Sequence, residues 1–283
     1  MESKTCPALL SFLYLCRKLE NVNLFLAKKH LGYYLRPNHW RGYGIHSPFI
    51  FDLVANLLRE KHAYYDFNRI EAWRSALMRS KQKIEITDLG AGSLSGNKGK
   101  RRISDLVAMG ALPPKYGQLL YRLACRFEAK NVLELGTSAG ISTLYLALPY
   151  KKGKTITIEG CPESSKLART SFEQLDARNI KLLEGSFSDL LPEALKELQT
   201  LDMVFFDGDH REKSTLNYFE LCLPYVHNNT IFVFDDIHWS PGMEKAWNKI
   251  AAHSKVSISI DLLRLGLVFF RKENQKEHFV VRY

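Results

Sequence analysis

The chain has 283 residues, of which 46% are hydrophobic and 25% charged, and a formal net charge of +10. This composition excludes an intrinsically disordered chain, a collagen and a coiled-coil rod, and the length suffices to bury a sizeable core without disulfide or metal staples. The basic excess favours anionic partners (nucleic acid, membrane headgroups, acidic metabolites) or serves solubility alone.

Five scattered cysteines (Cys6, Cys16, Cys125, Cys161, Cys222) form no CxxC pair. Neither a zinc knuckle nor a redox motif is expected, and a reducing cytoplasm is the compartment that fits. The apolar run from Ala8 to Cys16 stops at Arg17-Lys18. It is shorter than the roughly 20 residues needed to span a bilayer, and no cleavage pattern marks it as a signal peptide.

Residues 8–35 carry apolar side chains at helical spacing, including Leu9, Phe12, Leu13, Leu24, Phe25, Leu31 and Tyr34. Up to Tyr43 the basic residues Lys4, Arg17, Lys18, Lys28, Lys29, Arg36 and Arg41 outnumber the acids Glu2 and Glu20. Such a helix can lie on a membrane surface or nucleic acid, but a cap packed on the main domain is the favoured reading. The turn-rich stretch 42–49 comes next, with Ser47 ahead of Pro48 as the expected cap of a helix through Phe51, Val54 and Leu58. His46 is expected to be an ordinary hydrogen-bonded residue. A second helix is expected over 65–80, and residues 94–102 read as an exposed basic loop.

From about residue 113, short apolar runs alternate with helical stretches. Strands are expected at 131–135, 154–159, 179–183, 201–206 and 229–235, with helices at 114–128, 139–149, 163–176, 189–198, 211–224 and 240–252. Two last strands, about 255–262 and 266–271, are joined by a short turn. This alternation predicts an α/β chain with a seven-stranded, mostly parallel sheet whose last strand is antiparallel. Residues 1–112 are expected to form a helical cap and linker, and 113–283 the sheet domain.

In such sheets ligands bind at the carboxyl ends of the strands. The strand Asn131–Leu135, with Glu134 inside it, runs into Gly136-Thr137-Ser138-Ala139-Gly140. Glycines permit a sharp turn and close approach of a ligand to the backbone, and the helix beyond offers unpaired N–H groups. Glu159 ends the next strand, where an acid can take the hydroxyls of a ribose. The GxxxG spacing is neither the GxGxxG of dinucleotide sites nor a P-loop. It suits a nucleoside with a smaller polar tail, such as S-adenosylmethionine. A competing strand and glycine turn at Ile84–Ser93 lacks a second acidic strand tip and is assigned a structural or lid role.

Asp207-Gly208-Asp209-His210 and Asp235-Asp236-Ile237-His238 come directly after the strands at 201–206 and 229–235. Four carboxylates and two imidazoles are thus expected on the glycine rim. Carboxylates are the ligands preferred by Mg²⁺, Ca²⁺ or Mn²⁺, although Asp is also a favoured helix cap.

Glu134 to Gly140, Glu159, Gly185-Ser186-Phe187, Asp207 to His210 and Asp235-Asp236 together resemble the class I S-adenosylmethionine-dependent methyltransferases. The likeness is to O-methyltransferases similar to catechol O-methyltransferase and to the sugar O-methyltransferases of antibiotic biosynthesis, and it covers about 113–271. It implies the Rossmann-like seven-stranded methyltransferase sheet. It further implies that Gly136, Thr137, Ser138 and Gly140 hold the methionine portion of S-adenosylmethionine above Glu134, that Glu159 binds the ribose, and that Ser186 lies near the adenine. Asp207, also at the cofactor, would hold a divalent metal, Mg²⁺ by the resemblance, with Asp235 and Asp236. The proton acceptor would be Asp209, by likeness to the sugar enzymes, or His210, which stands where the catechol-type enzymes carry lysine. The segment His46–Phe51 is similar to the amino-terminal part of uncharacterised bacterial methyltransferases. The expected reaction is methyl transfer to a small hydroxylated acceptor. A tRNA or other nucleic-acid methyltransferase ranks second and a non-catalytic nucleoside-binding protein third; a homodimer is left open.

Overall fold

The computed structural model describes residues 24–35, 44–87 and 99–283. The apolar run 8–16 and the glycine turn at 88–93 lie outside them, as do 94–98 of the expected basic loop. In chain order the described elements begin with α1 (Leu24–Leu35), α2 (Pro48–Asp52), which continues into a π-helical turn (Leu53–Leu57), and α3 (Tyr65–Met78). Ser47 stands at the N-cap of α2 as expected, though without a capping bond from its side chain.

Strands β1 (Lys83–Ile86) and β2 (Gly99–Arg102) form a separate antiparallel ribbon. Lys100, Arg101 and Arg102, expected in a loop, are therefore strand residues, held by backbone pairing to β1. The strand of the competing glycine motif thus lies outside the main sheet. After α4 (Ile103–Gly110) and α5 (Pro114–Arg126) the expected alternation begins. It gives β3 (Asn131–Leu135), α6 (Ile141–Ala147), β4 (Lys154–Glu159), α7 (Pro162–Gln174), β5 (Ile180–Glu184) and α8 (Phe187–Leu198). It continues through β6 (Leu201–Phe206), α9 (Glu212–Cys222), β7 (Val226–Phe234), α10 (Pro241–Ala252), β8 (Ile258–Asp261), β9 (Gly266–Phe269) and β10 (Glu277–Val280).

The main sheet has eight strands in the order β10-β8-β9-β7-β6-β3-β4-β5. Only β9 runs antiparallel, paired with β7 on one side and β8 on the other. All seven expected strands are present. The eighth, β10, extends the edge in parallel with β8. It is four residues long with Phe279 alone buried, so no hydrophobic period marked it.

Successive strand residues point to opposite faces, and the apolar runs bury both. Val132, Met203, Phe205, Ile231 and Val233 face the helices α5 and α6, in one core with Leu119 and Leu144. Leu133, Ile156, Val204, Phe206 and Phe234 face the other way, with Leu191, Phe219 and Trp247. Ile50, Leu53 and Ile70 of the amino-terminal segment are 0–2% exposed and join the first of these cores. The α1 helix is tied to the carboxyl-terminal segment by Tyr33. Its hydroxyl donates to the Val281 carbonyl at 2.5 Å and accepts from the Tyr283 N–H at 2.9 Å.

At the start of β9, a methyl group added to Gly266 would meet the ring of buried Trp247 at 2.4 Å. Gly266→Ala is expected to cost about 1–3 kcal/mol through overpacking. Thermal denaturation should show a Tm lowered by roughly 2–4 °C for each kcal/mol.

Candidate active site

Four backbone hydrogen bonds carry the sheet pairing one step past the strand ends. Gly185 N–H donates to Glu159 O (2.9 Å), Gly136 N–H to Ile158 O (3.0 Å), Asp207 N–H to Leu135 O (2.8 Å) and Asp235 N–H to Phe206 O (2.9 Å). They set the glycine turn, Glu159, Asp207 and Asp235 in one row. Beyond the row, Ser138, Asp209 and Asp236 adopt left-handed φ of 49°, 52° and 54°. Such backbone is uncommon for residues with side chains and clusters at functional sites.

The turn itself is tightly built. Gly136 has φ 102°, and a Cβ there would lie 2.4 Å from the Asp207 carbonyl oxygen. Gly140 has φ 76° and opens α6. Glu159 adjoins the turn: its carboxylate accepts Ser138 N–H at 2.8 Å and Cys161 N–H at 2.8 Å. Burial raises its pKa, and the N–H groups of Cys161, Ser138, Thr137 and Gly160 oppose that rise. The Thr87 N–H, at the end of the β1 strand, lies 3.4 Å from Cys161 Sγ.

Beneath the turn, Glu134 is fully buried. Its Oε2 accepts the hydroxyls of Thr143 (2.5 Å) and Thr157 (2.7 Å), while Oε1 has no partner among the described residues. Burial pushes its carboxyl up to about 7 despite the hydroxyls of Thr143, Ser142 and Thr157. Thr137 belongs to this network: its Oγ1 is 2.5 Å from that of Thr157, and the residue is 1% exposed. Its side chain therefore faces the core, leaving its backbone to the rim. The Ser186 hydroxyl caps α8, accepting Asp189 N–H at 3.3 Å.

The six acidic and imidazole groups expected together divide into three sets. Asp207, Asp235, Asp236 and His210 stay together, with His210 Nε2 3.9 Å from Asp207 Oδ1. Asp209 instead pairs with Arg211 through both oxygens, the Nη2 bond being 2.8 Å, and takes the Tyr218 hydroxyl at 3.2 Å. Burial works to raise its pKa, but these partners and Ser214 hold it below the usual carboxylate range. His238 leaves the cluster for Asp261 of β8, at 2.7 Å. The amino-terminal segment reaches this side: burial, then His238, lower the pKa of His30 on α1. His46 is exposed.

Arg264, in the turn between β8 and β9, was not anticipated. Its Nε and Nη2 donate to the two oxygens of Asp235 at 2.8 and 2.7 Å, and Nη2 lies 3.8 Å from Asp236. Burial disfavours charge on Asp235, yet Arg264 holds its carboxyl below the ordinary value. Asp207 is raised well above it by burial and by Asp235. Among the described residues no group of three or more His, Cys, Asp or Glu is arranged to hold a metal ion. Of the three expected Mg²⁺ ligands, Asp207, Asp235 and Asp236, the central Asp235 already has both oxygens on a guanidinium, so this donor set does not fit the cation. The turn, by contrast, suits a nucleoside cofactor: Gly136 and Gly140 adopt φ of 102° and 76°, which lets backbone approach a ligand closely, and Glu159 adjoins them through the Ser138 N–H.

Residues 133–237 match the family model described as a methyltransferase domain. Over 131 residues the chain is 33% identical to a catechol O-methyltransferase of Niastella koreensis, covering 45% of this chain and 58% of that one. A catechol O-methyltransferase of Mycobacterium tuberculosis is 27% identical over 129 residues, 45% of this chain and 57% of that one. The chain spans about half the length of the curated relatives it matches. An O-methyltransferase from Bacillus cereus solved with SAH has a TM-score of 0.54 at 18% identity, covering 75% of this chain and 93% of that one. The likeness to class I methyltransferases is borne out, and the fold is the Rossmann-like methyltransferase fold.

Glu134 supplies a pH signature. Its folded pKa of about 7 lies above the ordinary 4.5, so between these values the native state keeps a proton that the unfolded state has lost. Stability contributed by this group is full below pH 4.5 and falls as pH rises towards 7, by about 3 kcal/mol. Glu134→Gln should flatten that slope in denaturant unfolding measured across this window.

Proposed function

We propose that this chain, whose residues 133–237 match a methyltransferase domain, is an S-adenosylmethionine-dependent O-methyltransferase acting on a small hydroxylated acceptor. One observation carries the reading: the acid ending β4 is hydrogen-bonded to the glycine turn ending β3, Glu159 to Ser138 at 2.8 Å. A carboxylate suited to ribose hydroxyls and a turn suited to a polar tail thus adjoin on one rim.

Gly136, Ser138 and Gly140 would hold the cofactor's methionine portion, with the Thr137 backbone, over buried Glu134. Glu159 would take the ribose, Ser186 would lie near the adenine, and the Asp207 segment would close the other side. The bound cofactor supplies an electrophilic methyl group. The protein's work is to line up the acceptor oxygen and to accept its proton, and positioning supplies much of the rate in such a transfer. An alcohol is a poor nucleophile while it keeps its proton, so a base within reach is required.

Of the two expected bases, His210 suits the role better. Its side chain is 23% exposed and faces Asp207. Both oxygens of Asp209 are taken by Arg211, and a carboxylate so held is a weak proton acceptor. Asp209 is read as a positioning residue that fixes the segment carrying His210. The donor set around Asp235 does not support the metal-assisted route, and no step is assigned to a metal.

Calorimetry with S-adenosylmethionine tests the cofactor. Binding is expected, and Glu159→Ala should weaken it about tenfold or more, through loss of a charged hydrogen-bonding group. Absence of binding to the unaltered protein would remove the reading. Transfer of labelled methyl to a panel of small phenols and sugars tests the reaction. His210→Ala should lower turnover by about 100-fold or more while leaving cofactor affinity unchanged. An equal loss in Asp209→Asn with full activity in His210→Ala would reverse the assignment of the base.

A further inference from the structure

The turn carrying Arg264 is built to aim it. Leu263 before it has φ 72°, an outlier for a bulky residue, and is 8% exposed. The Leu263 N–H is tied to Asp261 Oδ1 at 2.7 Å, and the Arg264 carbonyl accepts Ile237 N–H at 3.2 Å. That second bond joins the turn directly to the segment after β7. The guanidinium then meets Asp235, which is 1% exposed, through two parallel bonds. Its face lies 6.0 Å from the ring centre of Tyr116. This is a fixed, over-determined placement in a backbone conformation that a leucine adopts only under constraint.

We infer that Arg264 is the resident cation of this site, standing among Asp235, Asp236 and Asp207 where a divalent metal would otherwise bind and offering its remaining edge to an oxygen of the acceptor. The inference rests on the O-methyltransferase reading only for the acceptor. Nε and Nη2 are engaged by Asp235, whereas Nη1 makes no hydrogen bond to a described residue, and the side chain is 31% exposed. Guanidinium has five N–H donors and no acceptor and does not lose its proton in proteins. It therefore supplies permanent positive charge, but it cannot be displaced from the carboxylates as a proton can. A divalent ion would have to break two charge-assisted bonds and then sit beside a like charge. Arg264 can orient an acceptor hydroxyl or a neighbouring carboxylate by hydrogen bonding, and it leaves proton removal to His210.

Mn²⁺ binding, monitored by loss of the free ion's spin-resonance signal and by calorimetry, tests this. The unaltered protein should show no binding site at millimolar Mn²⁺. Arg264→Ala should bind Mn²⁺ at least about tenfold more tightly, because Asp235 then loses the guanidinium that occupies both its oxygens. Arg264→Lys, which keeps the charge, should resemble the unaltered protein. Arg264→Gln should gain binding as the Ala variant does, and it serves if the Ala variant fails to fold. A stoichiometric Mn²⁺ site in the unaltered protein that Asp235→Asn abolishes would overturn the inference, as would variants without charge at 264 that bind no better. S-adenosylmethionine binding is measured on the same samples. Its failure would sink the methyltransferase reading and leave the Mn²⁺ result to decide the role of Arg264.

Discussion

Everything at this site depends on backbone pairing that continues beyond the strands. The bonds from Gly185, Gly136, Asp207 and Asp235 to the strand beside them lock five tips in register. Because β3, β4, β5, β6 and β7 all run the same way, each tip delivers its residues to one rim. A slip of one residue in any strand would turn its side chains to the opposite face. The apolar layers on both faces, with Leu133 on one side and Val132 on the other, make that slip costly.

The rim concentrates acids, and the structure neutralises them in different ways. Glu134 is held by hydroxyls and pushed towards the neutral form, Glu159 by backbone N–H groups, and Asp209 and Asp235 by arginines. These solutions have different consequences. A carboxylate on a bidentate arginine is pinned and weakly basic. Asp209 and Asp235 are both held in this way, whereas His210 lies beside Asp207 without such a clamp. The remote ends of the chain contribute as well. The α1 helix packs against the carboxyl-terminal segment through Tyr33, and His238 adds to burial in lowering the pKa of His30. The His238 side of the rim is therefore framed by segments far from the glycine turn in sequence.

The sequence by itself determined the parallel sheet, the glycine turn, and the positions of Glu159, Asp207 and Asp235 at strand ends. Those features are local: an apolar run with a period fixes a strand, and the residues next in the chain must emerge at its carboxyl end. Tertiary structure alone decided the partners of Asp235 and His238. Arg264 lies 29 residues from Asp235 and Asp261 lies 23 from His238 in sequence, and no local pattern brings either pair together. The Thr137 side chain turned to the core because Thr157 on the neighbouring strand offered it a hydroxyl, and β10 joined the edge because β8 had a free row of backbone groups. Side-chain partners are chosen by distance through space under the demand that buried polar groups be satisfied, and that distance is set only once the strands are aligned.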